Sequence, residues 1–565
     1  MKRRKLFCAL LGTVMALSLS ACGESGGGGT TEVRTEAKKN AMSYDDASQE
    51  MESLLKKVTV NTVSNPVLDI YMSETSRADA LDDISTFPIT VAGNGQIDIE
   101  VAAATEMSAA APDDWMNVVA KNFNKENYKI NGKTVSVSVR KITSGEAVTY
   151  ILDGGYQPEV FAPSNYAWGE MLKASGLRVS KLTDRIAGNT AGILIKKELY
   201  DSFIEKYGEA TVGNVLDATI NKDLVFAYTN PYTSSTGLNI LTAMLKSFDE
   251  DDPLSADATQ KLIDYQKSSP PVAYTTAVLR QSAAKGVINA MVMEEQTYIN
   301  TPELKSYQYI PAGIRHDHPV YTFEWDSDDE QEAARLFVEY CQNEESQALA
   351  TEKGFNRHED YESQDPGMTG TDYLNAQKIW KQNKNGGKPI IAVFVADISG
   401  SMNGEPLNAL KRSLINGSEY IGSENYIGLV SYSGSVTINL PIAEFDATQR
   451  AYFSGEVKSL AAGGQTATYD AALVGLDMLK EKAKEVDDAK LLLFVLTDGE
   501  QNTGYSLDRI TGIVEGMGVP VYTIAYNYSD TKDLETLSGI NEAACIKADS
   551  TDIANQLRNL FNVQI

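Results

Sequence analysis

The sequence predicts an α/β protein made of two strand-and-helix regions joined in series. Three observations carry that expectation. From residue 96 to about 360, strand-like runs such as "GQIDIEVAAA" and "KTVSVSVRKI" alternate with stretches of helical spacing such as "DDWMNVVAKNFNKEN". From Pro389 the alternation starts again, after a polar stretch that holds Pro366 and several glycines. A chain of 565 residues also exceeds what one core organises, at about 100–200 residues per domain. Strands separated by helices favour open, largely parallel sheets.

The formal net charge of −27 argues against nucleic acid as a partner, because a polyanion would be repelled over most of the surface. Positive charge is concentrated at the very start, in Lys2, Arg3, Arg4 and Lys5, ahead of the apolar run "LFCALLGTVMALSLSA". That pattern is a secretory leader, too short for a comfortable membrane span. It ends in Leu19-Ser20-Ala21-Cys22-Gly23, which resembles the lipobox of bacterial lipoproteins. The resemblance implies cleavage after residue 21 and a diacylglycerol on Cys22, anchoring the protein in the lipid bilayer and facing it away from the cytoplasm. Residues 22–43, rich in Gly, Thr and Glu, are expected to form a flexible tether. Residues 44–58 could make a short amphipathic helix, and the rest of 44–95 shows no clear period. Cys341 and Cys545 lack any metal-binding spacing and are expected as buried free thiols.

In the first α/β region the order continues through "GEAVTYILDGG" (helix), "PEVFAPS" (strand), "KDLVFAYTNPYTSSTGLNILTAMLKSF" (strand, loop, helix) and "GVINAMVMEEQTYIN" (strand, helix). It closes on "DEQEAARLFVEYCQNEESQALATEKGFNR". This order, with its aromatic-rich closing helix pair, resembles the bacterial extracellular solute-binding proteins of ABC transporters. The resemblance implies a two-lobed, periplasmic-binding type II-like domain over 96–360 with a solute cleft between the lobes. Hydroxyl-rich turns fall where such a cleft would lie: Thr105, Thr143 with Ser144, Ser164, and Ser234 with Ser235 in "TSSTG". Several precede helices, whose N-termini suit polar or anionic ligands, although ordinary helix capping explains the same residues. By family analogy Tyr298 also faces the cleft. His316 and His318 are expected in a solvated turn, and Glu294 and Glu295 as charges at a helix start. Residues 361–388 are expected as a linker.

From Pro389 the strands are "PIIAVFVAD", "NYIGLVSYS", "LLLFVLTD", "VPVYTIAYN" and "ACIKAD", with helices starting near Glu405, Tyr469, Leu507, Lys532 and Thr551. In a doubly wound sheet ligands bind at the C-terminal strand ends. Asp397 sits at one such end, with Ser399 and Ser401 on the loop above it. Thr466 lies in the loop "AAGGQTATYDAAL", and Asp498 at the tip of "LLLFVLTD". All five are hard oxygen donors, suited to Mg2+, Ca2+ or Mn2+ and unsuited to thiophilic metals. D-x-S-x-S at 397–401, Thr466 in a Gly-Gly loop and T-D-G at 497–499 together resemble a von Willebrand factor A domain. The resemblance implies a Rossmann-like doubly wound fold over 389–565. It also implies that Asp397, Ser399, Ser401, Thr466 and Asp498 form a metal-ion-dependent adhesion site, with Mg2+ first and Mn2+ or Ca2+ as alternatives. An acidic side chain of a partner protein would complete the coordination. The competing reading of D-x-S-x-S alone is an Asx turn and helix cap. A phosphatase-like nucleophile at Asp397 would want a second acid where Ser399 stands.

No nucleophile–base set, phosphate loop or other catalytic motif is recognisable, so a binding protein rather than an enzyme is expected. Adhesion through the metal site ranks first. The alternative is an extracellular solute receptor for an ABC transporter or sensor, with the A domain as docking module. A chelatase-like subunit ranks third, since those partners are cytoplasmic and this chain carries an export leader. For the anchor, Cys22→Ser should abolish incorporation of a labelled fatty acid, since no other residue there can form the thioether; undiminished label would remove the lipoprotein assignment.

Overall fold

The chain leaves one folding unit and later returns to it. In the computed structural model, the described residues before 77 pack with those from 388 onward, and residues 77–387 form a second unit. The structure describes residues 42–565 except 70–80, 82, 269, 271, 274–275, 277–278, 281–287, 420, 527–529, 542, 544, 549–556, 558–559 and 561–563. The leader, Cys22, all but the last two residues of the tether, and the helix expected near Thr551 lie outside the described residues.

The N-terminal segment supplies a helix, Tyr44–Leu55, and a short strand, β1 (Val60–Thr62). The 77–387 unit then builds a first lobe from β2 (Ile89–Val91), β3 (Ile97–Ala103), β4 (Lys129–Ile130), β5 (Lys133–Lys141), β6 (Val160–Ala162) and β7 (Val179–Thr183). A second lobe holds β8 (Thr190–Lys196), β9 (Phe226–Thr229), β10 (Val272–Ala273), β11 (Ala290–Glu294) and β12 (Tyr307–Arg315), ordered β10-β9-β11-β8-β12. Finally β13 (Val320–Phe323) returns to the first sheet, ordered β2-β5-β3-β6-β13-β7. The chain therefore crosses between lobes twice, over 184–189 and 316–319. Within each lobe the pairs β3–β5, β3–β6, β9–β10 and β9–β11 are parallel, as the strand–helix alternation requires.

The stretch read as a linker is largely domain. Helix Gly370–Asn383 packs on helix Ala167–Ala174 of the first lobe and on helices Ser235–Phe248 and Ala256–Gln266 of the second. Tyr373, Ala376, Gln377 and Trp380, at i, i+3, i+4 and i+7, form its buried stripe. The Trp380 indole N–H donates to the Tyr228 hydroxyl at 2.8 Å, and Tyr373 meets Tyr166 at 3.1 Å. The Lys, Asn and Gln residues between those positions made the segment look solvated.

The other unit is one seven-stranded sheet, ordered β1-β16-β15-β14-β17-β18-β19. Its further strands are β14 (Ile390–Asp397), β15 (Tyr426–Tyr432), β16 (Val436–Glu444), β17 (Lys490–Thr497), β18 (Val521–Tyr526) and β19 (Cys545–Ala548). The antiparallel β16 was not legible in sequence: Pro441 interrupts it, and its exposed and buried positions do not alternate cleanly. β14 is buried along its whole length. Ile390, Ala392, Phe394 and Ala396 enter one core with Leu410, Leu414 and Phe453; Ile391, Val393 and Val395 enter the opposite core with Leu473 and Leu476.

That second core is completed from the other end of the sequence. Ala47, Met51 and Leu54, one stripe of helix Tyr44–Leu55, are buried against helices Thr468–Lys482 and Leu507–Met517. The approach is close enough that a Cβ on Gly516 would lie 2.6 Å from the Ala47 methyl. The Lys480 ammonium pairs with Glu52 at 2.8 Å. β1 then extends the sheet edge, parallel to β16. The segment left unassigned at 44–95 is thus divided: its first part belongs to the C-terminal unit, and β2 belongs to the first lobe of the 77–387 unit. Cys341 and Cys545 are free thiols in different units, as expected; Cys341 is buried, but Cys545, at the start of edge strand β19, is only half-buried.

This division makes a clean prediction, because Trp115, Trp168, Trp325 and Trp380 are the chain's 4 tryptophans and all lie in the 77–387 unit. Met51→Ala should destabilise the C-terminal unit by about 2–5 kcal/mol, the range for truncating a buried Met. Circular dichroism should register an earlier unfolding step while the tryptophan-fluorescence transition stays in place. Coincident shifts of both signals would contradict the assignment of the helix.

Candidate functional site

A buried strand can expose polar groups only where it ends, and β14 ends at Asp397. The carboxylate is fully buried, accepting the Ser399 backbone N–H at 2.7 Å on Oδ1 and the Thr497 hydroxyl at 2.6 Å on Oδ2. Thr497 closes the neighbouring strand β17, so the parallel register brings it to this point. Beyond it, Ser399 Oγ lies 3.0 Å from Ser401 Oγ, which donates to Asp498 Oδ1 at 2.8 Å. Four of the five predicted ligand residues thus share one network that ends in a carboxylate at each side.

The fifth, Thr466, is carried in by its loop. Gly400 N–H donates to Gly464 C=O at 3.0 Å, and Gly463 N–H to Ile398 C=O at 2.8 Å, stapling the Gly-Gly loop to the D-x-S-x-S loop. Gly464 does this at φ +93°, a left-handed conformation that glycine adopts without strain. On the other side Thr466 N–H donates to Asn502 Oδ1 at 2.9 Å, and Asn502 N–H returns a bond to Thr466 C=O at 3.0 Å. Thr497 and Asn502 were not singled out from the sequence. Thr497 stands inside the T-D-G motif, and a hydroxyl beside a strand-end aspartate was the available signal; Asn502, in a loop, gave none.

Burial pushes the Asp397 carboxyl above the usual carboxylate range, opposed by the bonds from Thr497 and Ser399 and reinforced by the charge of Asp498. Burial likewise raises Asp498. Two acids and neutral hydroxyl donors, with no cationic side chain hydrogen-bonded to them among the described residues, are a donor set that fits a small oxygen-loving cation.

The 77–387 unit holds a second polar assembly, at strand ends facing the interlobe crossing. Ser144 opens helix Ser144–Asp153, capped by Thr143, and lies 3.4 Å from Ser164 Oγ. From the second lobe Ser235 donates to Ser144 Oγ at 3.1 Å and accepts the Trp168 indole N–H at 2.8 Å. Three predicted cleft residues therefore meet across the lobes. The others do not join them. Ser234 bonds Thr229 and Thr236 within its own strand–helix turn. Thr105 begins the short helix Thr105–Ser108, but its neighbour Glu106 is the one that enters the layer, with His318 Nε2 at 3.1 Å. Tyr298 is tied instead to β12, donating to Tyr307 C=O at 3.0 Å and stacking on Tyr309.

Two readings are corrected here. His316 and His318 are fully buried rather than solvated. They lie on the second crossing, where His318 takes a left-handed turn at φ +50°, and both rings are buried while Asp317 between them pairs with Arg315 at 3.0 Å. Glu294 and Glu295 do sit at a helix start, yet they are 4% and 7% exposed. Burial and the nearby Glu106 charge push Glu294 up; burial opposes but His318 and Ser164 hold Glu106 down. Burial lowers His316 to about 3, so its imidazole is neutral.

With this geometry in hand, comparison with known proteins is decisive for the domains. Residues 101–356 match the family model "Bacterial extracellular solute-binding protein", and residues 392–562 match "von Willebrand factor type A domain". The chain carries an extracellular solute-binding domain followed by a C-terminal von Willebrand factor A domain. Inter-alpha-trypsin inhibitor heavy chain H3 from Bos taurus is 32% identical over 169 residues, and the Homo sapiens protein is 33% identical over 169 residues. Each match covers 26% of this chain and only 19% of the relative's length. Among solved structures, iron-bound HitA from Pseudomonas aeruginosa is 14% identical with TM-score 0.38, covering 52% of this chain and 99% of that one. A von Willebrand factor type A protein from Catenulispora acidiphila is 19% identical with TM-score 0.29, covering 31% and 42%. The solute-binding domain implies an outward-facing, secreted or surface protein. No described helix is long and apolar enough to cross a membrane.

Thr497 offers a test of the site's construction. Thr497→Val keeps the strand's shape but strips a hydrogen bond from a buried carboxylate, which costs about 1–3 kcal/mol. In chelator, the C-terminal unit should unfold earlier by that amount; an unchanged transition would show that Asp397 is supported elsewhere.

Proposed function

We propose that this chain is a lipid-anchored surface protein whose von Willebrand factor A domain binds a partner protein through a divalent cation. Asp397, Ser399, Ser401, Thr466 and Asp498 would hold the ion, Mg2+ first and Mn2+ or Ca2+ as alternatives. The observation that carries this reading is the bonded run from Asp397 through Ser399 and Ser401 to Asp498 at the C-terminal sheet edge. When bound, such an ion supplies positive charge at one spot of an acidic protein, and an acidic side chain of the partner is the group that chemistry selects. The chain's own residues orient the donors: Thr497 fixes the Asp397 carboxylate, and the Gly400–Gly464 bond ties the Thr466 loop to the serine loop. A cavity of about 120 Å³ bounded by Thr468, Gly499, Gln501 and Lys532 opens next to these loops and offers the partner a foothold.

A second reading rests on the buried Ser144–Ser164–Ser235 contact between lobes. It makes the 77–387 unit a working solute receptor for a transporter or sensor, with the A domain docking it to its partner.

Calorimetric titration of the chelator-stripped chain with Mg2+ or Mn2+ tests the first reading. Asp397→Ala should weaken binding by more than about 100-fold, and Thr466→Ala by about 10-fold, since water replaces one neutral oxygen readily. Equal affinity in wild type and Asp397→Ala would reduce the D-x-S-x-S loop to a helix cap.

A further inference from the structure

We propose that the buried junction of the two lobes, at the second crossing, binds a transition-metal dication through Glu106, Glu294 and His316. The three come from three different places: Glu106 follows β3 of the first lobe, Glu294 ends β11 of the second, and His316 lies on the crossing between them. One donor atom from each lies within 4.8 Å of the others. In a tetrahedral site with bonds of about 2.0–2.2 Å the ligand atoms lie about 3.3–3.6 Å apart, so side-chain rotations that close the widest gap by about an ångström complete the set.

Two of these residues present polar atoms that nothing satisfies. Glu294 Oε2 and His316 Nδ1 have no hydrogen-bond partner among the described residues, although the residues are 4% and 0% exposed. Buried polar atoms are nearly always paired, and these two belong to side chains that approach each other, His316 Nδ1 lying 3.9 Å from Glu294 Oε1. An ion between them and Glu106 satisfies both.

The surroundings have the form of outer partners of a metal site. His318 approaches Glu106 through Nε2 at 3.1 Å and Ala187 C=O through Nδ1 at 3.0 Å, which fixes the carboxylate's orientation. Asn165 lies 3.2 Å from His316 Nε2 through its amide nitrogen. With an ion on Nδ1, the imidazole hydrogen moves to Nε2, and Asn165 turns its amide oxygen to accept it, giving up the bond that this oxygen accepts from Ala167 N–H at 3.2 Å.

The donor chemistry selects the class of ion. Two carboxylates and one imidazole form a donor set that a dication can take together as ligands. An imidazole favours Zn2+, Co2+, Fe2+ or Ni2+ over Mg2+ and Ca2+. Because the donors span both lobes and the crossing, the ion would also hold the lobes together. This site is independent of the von Willebrand factor A site, which is all oxygen.

The test uses the full chain, stripped with chelator and kept in millimolar Mg2+ so that oxygen-only sites are occupied. Zn2+ is titrated by calorimetry, and Co2+ by the visible absorption that appears when it enters a His/Glu site. Wild type and Asp397→Ala are each expected to take one equivalent, and Glu294→Gln to bind more than about 100-fold more weakly, beyond the 10–100-fold that outer partners cost. The tryptophan unfolding transition, which reports only this unit, checks that each variant is folded. Should Glu294→Gln fail that check, His316→Gln carries the same expectation. No uptake by wild type, equal affinity in a folded Glu294→Gln or His316→Gln, or loss of uptake in Asp397→Ala would each overturn the proposal.

Discussion

A parallel sheet sandwiched between helices has no polar face, so its chemistry must emerge at the strand ends. In β14 that constraint is absolute: all eight residues from Ile390 to Asp397 are buried, and the carboxylate at the end is the one ionisable group on the strand. Its flanking strands are parallel and in register, so Thr497 ends beside it and Asp498 just past it. The loops that follow each strand are therefore brought together by backbone pairing before any side chain contributes. The same rule arranges the solute-binding lobes, where Glu106 follows β3, Ser144 follows β5, Ser164 follows β6, Ser235 follows β9 and Glu294 ends β11.

The second determinant is the order of the chain. Helix Tyr44–Leu55 closes the core against which β14 and helix Thr468–Lys482 pack, and only then does the chain depart into the solute-binding unit. The solute-binding domain is an excursion from the von Willebrand factor A unit, tied to it at both ends. A lipid on Cys22 would thus lead first into the A unit. That order makes folding of the A unit wait for residue 388 onward, which supplies most of its sheet, whereas the excursion contains all of its own strands.

How much of this was legible in sequence follows from how local each signal is. Uninterrupted apolar runs such as "IIAVFV" and "LLLFVL" declared the central strands, and Asp397, Ser399, Ser401 and Asp498 stand just past their ends, whereas Thr466 was placed by its Gly-Gly loop. β16 was hidden because Pro441 breaks its run, and the domain role of helix Gly370–Asn383 because its apolar stripe is thinned by polar residues. His316 and His318 were read as solvated because alternate polar residues suggest a turn. Only the crossing between lobes, a long-range feature, puts both on one buried side. The return of residues 44–62 to the C-terminal sheet is likewise a contact across more than 300 residues, carried by a helix stripe of Ala47, Met51 and Leu54 that names no partner.

The account stands or falls on an ion at the C-terminal edge of β14. Crystals of the full chain grown with Mn2+ should give an anomalous-scattering peak about 2.0–2.6 Å from Ser399 Oγ and Ser401 Oγ, the range for oxygen ligands of such cations. A Mn2+-saturated crystal with no peak beside these serines, and with the Ser399–Ser401–Asp498 hydrogen bonds intact, would contradict it.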